Sequence, residues 1–154
     1  SLHVLCQFCL STSCVGISSN SETNSTSRGL TDFAHIEEEY LATIDSLNWP
    51  DGITLPDKLE DEDTGASFQV GYGETRASYL WEYSWMKEWL DTYNTDPERA
   101  EKALEELEKA FDMPYMGIDR CDDATRNYLR ENIDKAKLGD PSGFTESIRA
   151  NYAN

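Results

Sequence analysis

The chain has 154 residues, room for one domain, and 38% of them are apolar, enough for one modest core. It carries 30 acidic and 13 basic residues, a net charge of −17 at neutral pH. A field of that sign repels phosphate backbones and anionic headgroups, which sets aside nucleic-acid binding and charge-driven adsorption to membranes and favours a monomer.

The charges are unevenly placed. Residues 1–21 contain no Asp, Glu, Lys or Arg, and every charge lies beyond them. Residues 1–17 hold an apolar stretch through Leu5, Phe8 and Leu10. It is shorter than the about 20 residues that span a bilayer, and suits the about 7–15-residue apolar part of a secretory signal. The segment therefore reads as signal-peptide-like, entered at Ser1 without a basic leader. Two processing routes stay open. Ser11-Thr12-Ser13-Cys14 resembles the lipidation motif of bacterial lipoproteins, although Leu10 lies four residues before Cys14 where that motif has Leu at three. Cleavage near Ser13 or Gly16 gives a secreted product instead. Membrane attachment is expected only through a lipid on Cys14. Cys6 and Cys9 have the spacing of redox and zinc pairs, but no second pair or His cluster accompanies them, and no metal or other cofactor is assigned.

Residues 18–30 are rich in Ser, Thr and Asn, have little to bury, and read as a flexible tether. Asn24-Ser25-Thr26 also fits a glycosylation acceptor.

Residues 31–154 read as one all-α domain, a small bundle of about five helices. The first spans about Asp32 to Leu47, with Phe33, Ile36, Tyr40, Ile44 and Leu47 on one face and Trp49-Pro50-Asp51-Gly52 ending it. Residues 49–73 are irregular, with Pro50, Pro56, Gly52, Gly65 and the acidic run Glu60 to Asp63. Asp61-x-Asp63-x-Gly65 departs from a calcium loop at its fifth, sixth and twelfth positions. Residues 67–72 alternate and suit one short extended stretch. The second helix, about Glu74 to Tyr93, carries Trp81, Trp85 and Trp89 in one stripe beside Tyr79, Tyr83, Met86, Leu90 and Tyr93. Apolar on most faces, it is expected at the centre of the core. The third opens at Asp96-Pro97 and closes at Met113-Pro114. Ala100, Ala103, Leu104, Leu107, Ala110 and Phe111 face inward, and Glu98–Lys102 and Glu105–Lys109 form pairs on the wet side. The fourth covers about Asp122 to Leu138, with Gly139 after its end and Ala124, Tyr128, Leu129, Ile133 and Ala136 inward. The fifth opens at Asp140-Pro141 and presents Phe144, Ile148 and Tyr152. Cys121, the one cysteine of this region, reads as a buried thiol.

Chemistry is sparse. His35, the one histidine of this region, has no placed nucleophile or acid beside it, so no catalytic triad is assigned. Gly71-Tyr72-Gly73 lacks the lysine and strand–helix context of a phosphate loop. No catalytic residue is named, and an acid pair cannot be picked out of thirty carboxylates. Aromatic faces bind sugar rings and organic cations, which makes Trp49, Trp81, Trp85 and Trp89 ligand-binding candidates. A stripe at helical spacing is more often core, which leaves Trp49, in a loop, as the more exposed one.

Gly71-Tyr72-Gly73-Glu74-Thr75-Arg76-Ala77, Trp81, Trp85 and Leu138-Gly139-Asp140-Pro141-Ser142-Gly143-Phe144 carry a resemblance. Residues 50–150 look like small exported proteins of actinobacteria without an assigned activity. Those often have Cys in the Trp-rich helix, where Tyr83 or Ser84 stands here. The resemblance implies export and no mechanism. The expected function is a non-catalytic cell-envelope or secreted interaction protein that meets an envelope protein or glycan. A carbohydrate or small-ligand binder and an Asp/Glu-pair hydrolase are the alternatives.

Overall fold

The computed structural model describes residues 29–152. The leader, with Cys6, Cys9 and Cys14, and residues 18–28 of the tether lie outside them. Five α-helices form a bundle: α1 (Phe33–Ser46), α2 (Tyr72–Thr92), α3 (Pro97–Glu108), α4 (Asp123–Lys137) and α5 (Ser142–Asn151). Two short strands, β1 (Leu30–Thr31) and β2 (Phe68–Gln69), pair antiparallel with Leu30 opposite Gln69. Leu30, assigned by composition to the tether, is thus part of a strand, and Gly29 O accepts from Val70 N. Two 3-10 turns, Lys109–Asp112 and Pro114–Met116, lead from α3 towards α4. Among the described residues no helix is long and apolar enough to cross a membrane.

α2 is the pillar. Trp81, Trp85, Met86 and Trp89 are all at most 4% exposed and pack with Leu107, Tyr115, Leu129, Ile133 and Phe144 into the larger core. Trp89 meets Phe144 edge-on at 5.4 Å and stacks on Tyr93 at 4.5 Å. Three of the polar residues in this interior make their hydrogen bonds locally. Ser78, Ser84 and Thr92 each donate to the carbonyl four residues back. Buried Glu82 accepts from the Tyr115 hydroxyl at 3.2 Å; burial and then the Glu82 charge push that phenol well above its ordinary range. Cys121 is buried beside Met116, as its apolar character suggests.

α1 lies against the N-terminal half of α2, where Ile36, Tyr40, Ile44, Leu59 and Ala77 form the second core. The crossing is set by Gly73. A Cβ there would stand 1.8 Å from the Ile36 carbonyl oxygen, so no side chain fits. Gly71, at φ +97°, turns the chain into the helix, and its cap comes from another helix. The Glu39 carboxylate of α1 accepts from Gly71 N at 3.0 Å and Gly73 N at 3.2 Å. This borrowed cap lets α2 start at Tyr72, two residues before the sequence-based boundary at Glu74.

The irregular segment between α1 and α2 is fastened at two points. Leu59 N donates to Glu37 of α1, and Glu62 accepts from Tyr72 and pairs with Arg76 of α2. Burial and the Glu62 hydrogen bond raise the Tyr72 phenol above its ordinary range. On α4, buried Asn132 joins the inner face predicted from Leu129, Ile133 and Ala136, while Ala124 is exposed. Asn132 presses on Gly143 of α5, where a Cβ would meet its side-chain oxygen at 2.6 Å.

Gly73→Ala is expected to cost at least about 3 kcal/mol in chemical denaturation, because the groups a Cβ would meet, the Ile36 carbonyl and Tyr40 N, are backbone. Gly52→Ala, at φ +81° but in open space, should cost about 1 kcal/mol. A Gly73→Ala protein within 1 kcal/mol of the parent would contradict this account of the crossing.

Candidate functional site

α1 ends in a cap made by an indole. Trp49 Nε1 donates to Ile44 O at 2.9 Å, which satisfies one of the last carbonyls of the helix. One residue earlier, Asn48 O accepts from Trp85 Nε1 of α2 at 3.0 Å. These two bonds hold the segment Asn48–Asp51 against the middle of α2. Trp49 is half-buried and packs against both cores, with part of its ring left to solvent.

That arrangement leaves a cleft of about 630 Å³ between the end of α1, α2 and α3. Asn48, Trp49, Pro50 and Asp51 form one wall, Trp85 and Glu88 the floor, and Glu98, Arg99, Glu101, Lys102 and Glu105 of α3 the other wall. A second cleft of about 480 Å³ opens on the far side of α3. It holds Trp89, Tyr93, Pro97 and Leu104 and shares Glu101 and Glu105 with the first.

Of the four tryptophans named as ligand candidates, Trp49 is the one that is not fully buried. Trp81, Trp85 and Trp89 are 1%, 4% and 2% exposed and serve the core, Trp85 and Trp89 reaching only the cleft floors. Trp81 Nε1 has no hydrogen-bond partner among the described residues. His35 is exposed; its backbone N–H completes the Asp32 cap of α1, and its ring lies 3.6 Å from Glu39.

The charges on α3 differ from the pairs predicted by spacing. Lys102 and Lys109 do not take Glu98 and Glu105; both bind Glu106, at 2.9 and 2.8 Å. The Glu106 side chain is 2% exposed and points inward, where one carboxylate between two ammonium groups is far better satisfied than an isolated one. Burial works to raise the Glu106 carboxyl, but the bonds from Lys109 and Lys102 prevail and hold it below its ordinary range. Arg99 reaches across the cleft to Glu88 at 2.7 Å. Both cations of the cleft are therefore engaged. Among the described residues, no ion pair or side-chain hydrogen bond reaches Asp51, Glu98, Glu101 or Glu105. The sequence pattern missed this because helical spacing gives Lys102 three acidic neighbours within reach, Glu98, Glu105 and Glu106, and only burial decides between them.

No protein family, no curated protein and no solved structure matches this chain.

The depressed Glu106 carboxyl fixes the sign of one pH effect. A lowered folded-state pKa contributes stability above the unfolded value near 4.5, and that contribution fades as pH falls through the folded-state value. Glu106→Gln should thus destabilise by about 1–2 kcal/mol at pH 7. The gap to the parent should narrow steadily below about pH 4.5 in urea titrations. A gap that stays constant, or widens in acid, would show that the lysine pairing is not what stabilises the buried carboxylate.

Proposed function

We propose that this domain is an exported, non-catalytic interaction module that engages its partner through the Trp49 cleft. The cleft carries the reading: an indole fixed by its own N–H bond and not fully buried stands in a concavity of about 630 Å³. An aromatic surface held this way loses little entropy on contact, which suits recognition.

The chemistry around it supports binding rather than turnover. A hydrolytic acid pair needs one carboxyl shielded in an apolar pocket beside an ionised partner. Asp51, Glu98, Glu101 and Glu105 are all exposed, and the deeply buried carboxylates Glu82 and Glu106 are engaged by Tyr115 and by two lysines.

Export is supported by the uncharged apolar run before residue 18 and by the Ser/Thr/Asn tract that follows it. On this reading the tract spaces the bundle from a lipid on Cys14, or the leader is removed and the domain is secreted. Intact mass of the cell-derived protein separates the two.

The binding reading is tested by titrating the domain with a panel of neutral oligosaccharides, quaternary amines and basic peptides while following tryptophan emission. At least one class should shift or quench the emission, and Trp49→Phe should abolish the response while leaving the cooperative unfolding transition in place. A panel that leaves the emission unchanged, or a response that persists in Trp49→Phe, would overturn the assignment of the cleft.

A further inference from the structure

We infer that the occupant of the Trp49 cleft is an extended, lysine- or arginine-rich segment of a protein, laid across α3 with Glu101 and Glu105 beneath it. This rests on the proposed role of the cleft and goes further by naming what fills it.

The first observation concerns donors and acceptors. Trp49 and Trp85 both spend their N–H groups inside the protein, on Ile44 and Asn48. Arg99 is bound to Glu88 and Lys102 to Glu106. What the cleft offers in excess is acceptor chemistry, the exposed carboxylates of Asp51, Glu98, Glu101 and Glu105, together with the Trp49 ring. Ammonium and guanidinium groups are donors without acceptors, and they are attracted both to carboxylates and to an indole face. The lining carries five carboxylates, Asp51, Glu88, Glu98, Glu101 and Glu105, against the two cations Arg99 and Lys102, so an anion is repelled. A neutral sugar can stack on the ring and donate to the carboxylates, but it gains none of the charge attraction that a cation does.

The second observation concerns length. Glu101 and Glu105 are four residues apart on one helix face and line both clefts, so they form a ridge with an aromatic-bearing hollow on each side. Trp49 stands in one hollow and Tyr93 in the other. A single amine fills one hollow and leaves the ridge bare. In an extended chain laid across the ridge, alternate side chains face the surface, so residues i and i+4 can enter the two hollows while i+2 sets a cation on the ridge. Pro97 and Leu104 give the second hollow apolar walls, which fits a side chain with carbon bulk better than a slender polyamine. The net charge of −17 would draw such a segment in over long range.

Calorimetric titration with a short Lys/Arg-rich peptide tests this, alongside its lysine-acetylated form, free lysinamide, spermine and a neutral oligosaccharide. The basic peptide should bind, more weakly as salt rises, and more tightly than lysinamide or spermine; acetylation should remove binding. Glu101→Gln/Glu105→Gln should weaken it about tenfold with no change in unfolding midpoint, since both side chains are exposed. Oligosaccharide binding that depends on Trp49, with no peptide binding, would overturn the basic-segment inference and keep the cleft as a binding site. Spermine or lysinamide binding as tightly as the peptide would overturn the segment, and peptide binding unaffected by the double substitution would overturn its placement. Silence from every ligand would overturn both the inference and the reading beneath it.

Discussion

The molecule depends on one close approach, the passage of α1 over the first turn of α2 at Gly73. There the Ile36 carbonyl occupies the space a side chain would need, and the Glu39 carboxylate of the same helix closes the exposed N–H groups of Gly71 and Gly73. Sterics and electrostatics act at the same point. The glycine lets the helices touch, and the touch brings a negative group to the positive end of the α2 dipole. From that contact α1 runs on until its far end lies at the middle of α2. There the Asn48–Trp85 hydrogen bond ties this end to α2, the local Trp49–Ile44 bond fixes the indole, and together they set one wall of the cleft.

The opposite wall follows from how α3 distributes its charge. Burial of Glu106 creates a demand that water cannot meet, and Lys102 and Lys109 answer it together. An exposed ion pair is worth little, so Glu98 and Glu105 lose the competition for those lysines at small cost to the fold. The consequence is a wall with more carboxylates than cations facing a tryptophan. A structural need in the interior thus produces the surface chemistry of the cleft, and the same helix face carries it round to the hollow at Tyr93.

Much of the architecture was legible in the sequence. Asp96-Pro97 marked the start of α3, Asp122 and Gly139 bracketed α4, and the tryptophan stripe named α2 as the buried pillar. These signals are local, since a cap or an apolar face acts within a few residues of itself. What sequence reasoning missed is non-local. Glu39 reads as one of three consecutive glutamates on a solvated helix, and nothing near it shows that it caps residues more than thirty positions away. Gly71-Tyr72-Gly73 was notable as a motif, but its meaning comes from Ile36. Glu62 sits in an acidic run that looks wholly solvated, yet it turns inward to Tyr72 and Arg76. At the site, the loop position of Trp49 marked it as the accessible ring, whereas the choice of both lysines for Glu106 needed the fold.

Fold and site meet at the end of α1, and that junction is most directly examined by amide and indole N–H spectra of the labelled domain during titration with a basic peptide. The account predicts that the largest shifts fall on the Trp49 indole and on the backbone of residues 98–105, with Trp81 and the Gly71–Gly73 crossing unmoved. Shifts centred on the Glu60–Asp63 run, or spread evenly over the acidic surface while Trp49 stays still, would contradict it.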